Sequence, residues 1–368
     1  MRRCSRLNSM RNHLFPPPPG VHVFNQSFSF VPPKLVLKKT KNYNISYYIM
    51  NTFIKLDYPY YKYEYIFDKN SKKIFLKDVK NLKQEILTEI PNNLNKTKYK
   101  LEKYDGHYFI IKSNFLKENS INSITDIFSE HIRIRCRFAN HLSPLDYWTN
   151  NKKKILTDIL KKNNEITIFN IREYIYKNYK LCSNFRITIA LSILQHFKPT
   201  KWLDISSGWG DRLMAAILFK IKLYEGTDPN LDLHPCYNNM IESFVPPSKR
   251  KNFIIHKNGF YEAEFTNKDF DIVFTSPPFY KTEIYSSYNE NSVTKYNSEE
   301  EWIKEFLIKC FTKAFTLIKK GGHMILYMGG SKNVMDAMSK LLNGLMTYKG
   351  VIYFYEKSPR GMYVWQKK

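Results

Sequence analysis

The feature that most constrains the fold is an alternation of strand-like and helix-like segments that begins after Phe197. The short apolar runs KWLDI (201–205), LYEGTD (223–228), NFIIH (252–256) and DIVFT (271–275) are typical of buried strands. DRLMAAILFKI and HPCYNNMIESF separate the first three of these runs, and both space their apolar residues like a helix. The alternation predicts a parallel sheet with helices on both faces.

The end of the chain continues this pattern. EEWIKEFLIKCFTKAFTLI (300–318) predicts a long amphipathic helix, and HMILYMG (323–329) predicts a fifth strand. VIYFYE (351–356) and MYVWQ (362–366), separated by KSPRG, predict a terminal antiparallel hairpin. The predicted fold class is therefore α/β, with a mostly parallel sheet that ends in an antiparallel hairpin.

The residues upstream of the sheet form a smaller α+β region in this interpretation. Residues 51–123 are rich in Tyr, Phe, Ile and Lys, as in YYKYEYIF and KYDGHYFIIK, and predict strands and hairpins. The mixture is typical of a half-exposed sheet, although aromatic rings among lysines can also stack on bases. Residues 124–184 show helical periodicity, and we expect them to pack on a domain formed by residues 185–368.

The first 50 residues contain no Asp or Glu and include PPPP at 16–19. This composition predicts a disordered or extended leader. An acid-free, arginine-bearing start is also typical of an organelle transit peptide, and both interpretations stay open.

Charge and cysteine content limit the partners and the compartment. The net charge of +25, from 58 Lys and Arg against 33 Asp and Glu, favours a polyanionic partner, although AT-rich coding alone produces many lysines. The five cysteines have no spacing typical of a zinc site or a disulfide framework, so we expect no metal and a cytoplasmic or other reducing compartment. No apolar run is long enough to predict a membrane span. Oligomeric state cannot be predicted.

A candidate nucleoside site lies where the first strand meets its helix, in LDISSGWGDRL (203–213). Asp204 ends the strand, and Gly208 and Gly210 allow backbone amides and a helix N-terminus to approach a ligand closely. The second strand ends at Asp228, where a carboxylate can bind ribose hydroxyls. Because Ser206 stands where dinucleotide sites carry their first glycine, a pyrophosphate cradle is disfavoured.

LDISSGWGDRL resembles the S-adenosylmethionine (AdoMet) loop of class I methyltransferases, in the D-P-x-x-G-x-G form of nucleic-acid amino-methyltransferases. The resemblance implies a seven-stranded Rossmann-like domain over residues 185–368. It also implies that the loop contacts the methionine and ribose parts of AdoMet and that the acid ending the second strand holds the ribose. The cofactor-binding residues implied are Asp204, Ser206, Gly208, Gly210 and Asp228. Phe260, after the third strand, either flanks the adenine of AdoMet or belongs to the core.

TSPPF (275–279) ends the fourth strand at the sheet edge where α/β folds bind ligands. It resembles the D/N/S-P-P-Y/F/W motif of methyltransferases that act on exocyclic amino groups. An amine conjugated with its ring is a poor nucleophile, so two acceptors, the Ser276 hydroxyl and the Pro277 carbonyl, must orient it, with Pro278 adding rigidity. Phe279 can stack on an extruded base. These four residues are the predicted catalytic group.

The serine of the motif resembles cytosine-N4 DNA methyltransferases more than adenine-N6 ones, so cytosine N4 in DNA is the favoured substrate. The AdoMet loop precedes the motif, however, and only 89 residues follow Phe279, so base recognition would come from the segment before residue 185. RNA is the alternative nucleic acid. Protein glutamine methylation and an inactive methyltransferase fold that binds nucleic acid are further alternatives.

Residues around the motif are candidates for substrate contact. Tyr280, Lys281 and Tyr285 begin a long polar loop that predicts either substrate positioning or a solvated surface. RIRCRF (133–138) is a basic cluster that could contact phosphate. In the neighbouring SPLDYW we favour packing roles for the aromatic residues.

Overall fold

The computed structural model describes the following residues: 37–38, 50, 53–60, 100–105, 108–112, 119–163, 165–285, 291–328, 331–354 and 360–368. All lie in one compact unit, Leu35–Lys368. The expected leader lies almost wholly outside the described residues, and so does most of the YYKYEYIF segment.

The strands lie where apolar, β-branched and aromatic residues cluster between turn residues. In chain order they are β1 Leu37–Lys38, β2 Lys100–Asp105, β3 Tyr108–Lys112, β4 Arg137–Phe138, β5 Glu165–Ile166, β6 Lys201–Asp204, β7 Leu223–Thr227, β8 Phe253–His256, β9 Phe270–Thr275, β10 Glu283–Ile284, β11 Ile318–Tyr327, β12 Thr347–Tyr353 and β13 Gly361–Gln366.

Helices occupy the segments with predicted helical periodicity, and the structure adds Ser292–Lys295 in the predicted polar loop and Lys332–Leu345 after the fifth predicted strand. They are α1 Asp126–Arg133, α2 Pro144–Asn163, α3 Ile168–Asn178, α4 Ile187–Phe197, α5 Asp211–Phe219, α6 His234–Phe244, α7 Ser292–Lys295, α8 Glu299–Trp302, α9 Lys309–Leu317 and α10 Lys332–Leu345. A π-helical turn, Ile303–Ile308, joins α8 to α9 within the long helix that the sequence predicts.

One nine-stranded sheet organises the described part of the chain, in the order β2-β3-β12-β13-β11-β9-β6-β7-β8. The strands β11, β9, β6, β7 and β8 are parallel to one another, and β13 runs antiparallel between β11 and β12. The last seven strands in this order confirm the Rossmann-like α/β sheet and its terminal antiparallel hairpin. The β2–β3 hairpin extends the sheet, because β3 pairs in parallel with β12.

Strand β11 begins five residues earlier than the sequence predicts. The predicted strand starts at His323, whereas the observed one starts at Ile318, with a register shift between these two residues. Gly321 has φ +75° within this irregular segment, so a glycine accommodates the turn of the backbone.

Two apolar layers cover the sheet. On one face α4, α5 and α6 bury residues such as Leu191, Leu213 and Tyr237, and on the other α9 and α10 bury Phe311 and Met338. A third cluster joins α2 and α3 to residues 53–60, where the Trp148 indole donates to the Leu56 carbonyl at 3.2 Å. Trp148 is fully buried, which confirms its packing role. No helix in the described part of the chain is both long and apolar enough to span a bilayer.

Candidate functional site

The glycine loop runs from the end of β6 to the start of α5, at the carboxyl edge of the parallel strands. Asp204, the last residue of β6, has no exposed surface. Its carboxylate accepts hydrogen bonds from the Arg212 Nε and the Tyr224 hydroxyl, each at 2.8 Å, and the Arg212 guanidinium also donates to the Ser206 carbonyl. Asp204 therefore holds the loop from beneath.

The Asp204–Arg212–Tyr224 network is a part of the site that sequence reasoning missed. Arg212 is 4% exposed and lies in the apolar segment that predicts α5. A buried guanidinium requires a carboxylate partner, so an arginine in an apolar helix was the signal that could have indicated such a network. The guanidinium also lies over the Phe185 ring, 5.4 Å from its centroid.

Gly208 and Gly210 both adopt left-handed backbone conformations, with φ +60° and φ +92°. A Cβ atom at Gly210 would lie 2.7 Å from the Met240 Sδ and Cε atoms. At Gly208 a Cβ would meet only the Arg212 guanidinium, at 4.0 Å, so the space above this glycine is open. Gly210 therefore serves the turn itself, and Gly208 leaves room for close approach of a ligand.

The carboxylate of Asp228 faces the glycine loop from the end of β7. It accepts hydrogen bonds from the Gly208 amide at 2.9 Å and the Asn230 amide at 3.0 Å. Burial raises its pKa to about 6, against the effect of these bonds. The carboxylate can therefore accept further hydrogen bonds, from hydroxyl groups of a ligand beside Gly208.

A buried donor lies close to this acceptor. The Asn230 Nδ2 is buried and has no hydrogen-bond partner among the described residues, whereas its Oδ1 accepts from the Asp232 amide at 3.2 Å. A ribose carries hydroxyls that both donate and accept, so Asp228 and Asn230 together fit the nucleoside part of AdoMet.

A second buried carboxylate lies at the start of α5. Asp211 is 2% exposed, and its Oδ1 accepts a hydrogen bond from the Thr125 hydroxyl at 2.5 Å. Burial raises the pKa of Asp211 to about 7. The bond to Thr125 connects the end of the glycine loop to the helical region of residues 124–184.

The S-P-P-F segment lies directly beside the glycine loop. Strands β6 and β9 are adjacent and parallel, so the segments that follow them meet at one edge of the sheet. The Ser206 hydroxyl donates to the Ser276 carbonyl at 2.8 Å and lies 3.3 Å from the Thr275 hydroxyl. Pro277 is buried, and Ser276 and Pro278 are partly exposed. The structure thus brings together the two segments that the sequence singles out.

Phe279 lies on the wall of a cleft of about 600 Å³. Lys281, Thr282, Ser331 and Arg360 also contribute to its lining. The Arg360 guanidinium lies over the Phe279 ring, 5.3 Å from its centroid. Glu299 and Glu300 also line this cleft, so its wall carries both acidic and basic side chains.

The remaining sequence candidates occupy different surroundings. Phe260 is 1% exposed and packs against Phe265 in the core. Tyr280 is 7% exposed and stacks on Trp302 at 5.5 Å, while Lys281 is exposed and lies over the Tyr280 ring. Tyr285 is half-buried, and its ring packs edge-on against Trp209 of the glycine loop at 5.9 Å.

A short ribbon ties the segment after the motif to the upstream region. Strand β10 pairs antiparallel with β4, so Glu283 faces Phe138 and Ile284 faces Arg137. Glu283 is buried, and burial raises its pKa. The basic RIRCRF segment singled out in the sequence is therefore adjacent to the S-P-P-F segment.

No protein-family model matches the chain, and no curated protein matches it. Among solved structures, about half of the chain is similar to TrmN from Thermus thermophilus, with 12% identity, TM-score 0.38, and coverage of 50% of this chain and 49% of that one. A SAM-dependent O-methyltransferase from Thermotoga maritima gives 11% identity and TM-score 0.35, and the match covers 50% of this chain and 67% of that one. The tRNA methyltransferase TrmI from Aquifex aeolicus gives 10% identity, TM-score 0.35, and coverage of 51% and 71%. At this level the likeness carries no conclusion about activity or substrate.

Proposed function

We propose that this protein transfers a methyl group from AdoMet to the exocyclic amino group of a nucleobase, with cytosine N4 in DNA as the favoured target. The observation that carries the proposal is the hydrogen bond from the Ser206 hydroxyl to the Ser276 carbonyl, at 2.8 Å. It joins a glycine loop of nucleoside-binding type to an amine-binding motif. A methyltransferase needs these two sites in contact, because methyl donor and acceptor must meet.

The glycine loop and the end of β7 would hold the cofactor. Gly208 leaves open space above the backbone, and Asp228 and Asn230 offer an acceptor and a donor to the ribose. Asp204 keeps the loop in place through Arg212, and Ser206 fixes its position against the motif. When bound, AdoMet supplies a methyl group on a sulfonium sulfur.

The S-P-P-F segment would orient the amine. The Ser276 hydroxyl and the Pro277 carbonyl would accept hydrogen bonds from the two amino N–H groups and so direct the nitrogen lone pair out of conjugation with the ring. Proline fixes the backbone angle at this point, so the carbonyl does not have to be ordered during the reaction. Phe279 stacks on the extruded base, with Pro278 beneath it in the same rigid segment.

The net charge of +25 and the basic residues around the motif support a nucleic acid as the acceptor. In this proposal Lys281, on the cleft wall, binds substrate, and Tyr280 and Tyr285 support the segment that carries it. Within this proposal, residues 185–368 form the methyltransferase domain, and residues 51–123 and 124–184 form upstream regions that help to hold the substrate.

The test combines cofactor binding with methyl transfer. Calorimetry measures AdoMet affinity, and transfer of a labelled methyl group is followed on duplex DNA, single-stranded DNA and RNA. We expect binding of AdoMet and transfer to DNA. Transfer to RNA alone would show that the substrate is RNA and not DNA. Binding of AdoMet without transfer to any nucleic acid would favour an inactive binding subunit.

Two substitutions separate the roles. Ser276→Ala and Phe279→Ala should each remove most transfer and leave AdoMet affinity nearly unchanged, because neither side chain lies in the glycine loop. Equal loss of AdoMet affinity in these variants would contradict the assigned roles.

A further inference from the structure

The ribbon formed by β4 and β10 carries exposed positive charge next to the S-P-P-F segment. Arg135 and Arg137 are exposed, whereas Cys136 between them is 2% exposed, so both arginines face solvent. The Lys180 ammonium is also exposed and lies 5.2 Å from the centroid of the Phe138 ring. One of these three cations, Arg137, lies on the ribbon, and Arg135 and Lys180 lie beside it.

The ribbon is held within one turn of Phe279. The Thr282 amide donates to the Phe279 carbonyl at 3.1 Å, and the Thr282 carbonyl accepts from the Ala139 amide at 2.8 Å. Thr282 also lines the cleft beside Phe279. The basic ribbon and the cleft are therefore adjacent and share Thr282.

Aromatic rings are interleaved with these charges. His141 is exposed and lies 6.5 Å from Phe138 and 5.8 Å from Tyr179, and Tyr179 stacks on Tyr147 at 4.3 Å. Rings beside exposed cations fit a strand of nucleic acid, because bases stack on the rings while phosphates pair with the charges. Asp146, an exposed acid beside Tyr147, accepts a hydrogen bond from Ser143 at 2.7 Å.

We propose that the β4–β10 ribbon binds the sugar–phosphate backbone of the substrate strand beside the target base, with Arg137 and Lys180 as its phosphate contacts. This inference rests on the proposed function and names the surface that holds its substrate. The nucleotide that lies where the ribbon meets the cleft is then beside Phe279.

The test compares two double variants that remove the same charge. Arg137→Ala with Lys180→Ala alters the ribbon, and both side chains are exposed, so folding should be retained. Lys249→Ala with Lys251→Ala is the control, because these exposed lysines precede β8 at the amino end of an edge strand, whereas the S-P-P-F segment follows the carboxyl end of the inner strand β9. Binding is measured by fluorescence anisotropy with labelled single-stranded DNA and RNA of about 16 nucleotides, in the presence of S-adenosylhomocysteine.

Salt dependence reports the number of phosphate contacts. Each contact to a single strand contributes about 0.7 to the slope of log affinity against log salt, so the ribbon variant should lose about 1.4 in slope and about 25-fold in affinity near 0.1 M salt. The control variant should keep the wild-type slope and affinity. Unfolding in urea checks that both variants are folded.

Several results would overturn the inference. If the ribbon variant keeps the wild-type slope and affinity while the wild type methylates the oligonucleotide, the ribbon does not hold the strand, yet the proposed function stands. If polyglutamate of similar length binds equally well and loses as much affinity in the variant, the surface fits acidic peptides instead. If the wild type neither binds nor methylates any oligonucleotide, the proposed function fails together with this inference.

Discussion

Replacing Ser206 by alanine tests whether the glycine loop and the S-P-P-F segment act as one unit. The substitution removes the hydroxyl that donates to the Ser276 carbonyl at 2.8 Å and leaves the backbone of the loop in place. A neutral hydrogen bond contributes about 1 kcal/mol net to folding, so the free energy of unfolding should fall by about that amount. This corresponds to roughly a fivefold change in the folding equilibrium constant.

The effect on methyl transfer should exceed the effect on stability. The bond fixes the position of the amine-binding motif relative to the cofactor loop, and a misplacement of about 1 Å between reacting groups can lower a rate by about a hundredfold. We therefore expect kcat of Ser206→Ala to fall by roughly ten- to a hundredfold, with AdoMet affinity changed little. The assay is labelled methyl transfer at saturating AdoMet and nucleic acid, beside calorimetry and urea unfolding.

Two variants serve as controls. Ser206→Thr keeps a hydroxyl and should recover most of the rate. Ser192→Ala removes a hydrogen bond of the same length, from the Ser192 hydroxyl to the Thr188 carbonyl within α4, away from the site. It should cost similar stability without lowering kcat. An unchanged kcat in Ser206→Ala, with the expected loss of stability, would refute the reasoning, because the bond would then be structural only.

Three further predictions follow from the loop. Asp211→Asn should raise the free energy of unfolding above about pH 7 and leave it unchanged near pH 4, because burial raises the pKa of Asp211 to about 7. Between these pH values the unfolded wild type has lost this proton while the folded wild type still holds it, so the wild type loses stability until the folded pKa is passed. Urea unfolding across pH measures the difference. Asp228→Asn should weaken AdoMet binding and abolish the increase in affinity that we expect in the wild type as pH rises through about 6, where Asp228 ionises, and calorimetry at several pH values measures both effects. Gly210→Ala should lower the free energy of unfolding by about 1–3 kcal/mol, because φ is +92° and the new methyl group meets Met240. Gly344→Ala, within α10 where a Cβ atom would meet nothing within 4 Å, should instead stabilise by about 0.5–1 kcal/mol, and the opposite ordering of these two glycine variants in urea would contradict the strain argument.

Much of the sheet could be predicted because its signals are local. The strands and helices predicted after Phe197 each have their own apolar pattern, and parallel strands bring their carboxyl ends to one edge, so Asp204 and Ser276 were expected to be neighbours. The β2–β3 hairpin was predicted as strands. Its attachment to β12 was not predictable, because that pairing joins residues more than 200 positions apart.

The parts of the site that were missed depend on distant contacts. Arg212 and Tyr224 were assigned to a helix and a strand, yet both bind Asp204 beneath the loop. The pairing of β4 with β10 joins segments of two residues each, which are too short to produce a pattern in sequence. A buried arginine in an apolar helix was the one local signal of such a network, since burial of the charge requires a partner.

The central claim is that Ser276 and Pro277 act on an amine of a nucleobase. Mass analysis of nucleosides from DNA and RNA treated with the protein and AdoMet tests this most directly. We predict N4-methylcytosine in the treated DNA, absent when Ser276→Ala replaces the wild type although AdoMet still binds. A product methylated on carbon or on a ring nitrogen, or N4-methylcytosine formed equally well by the variant, would contradict the account.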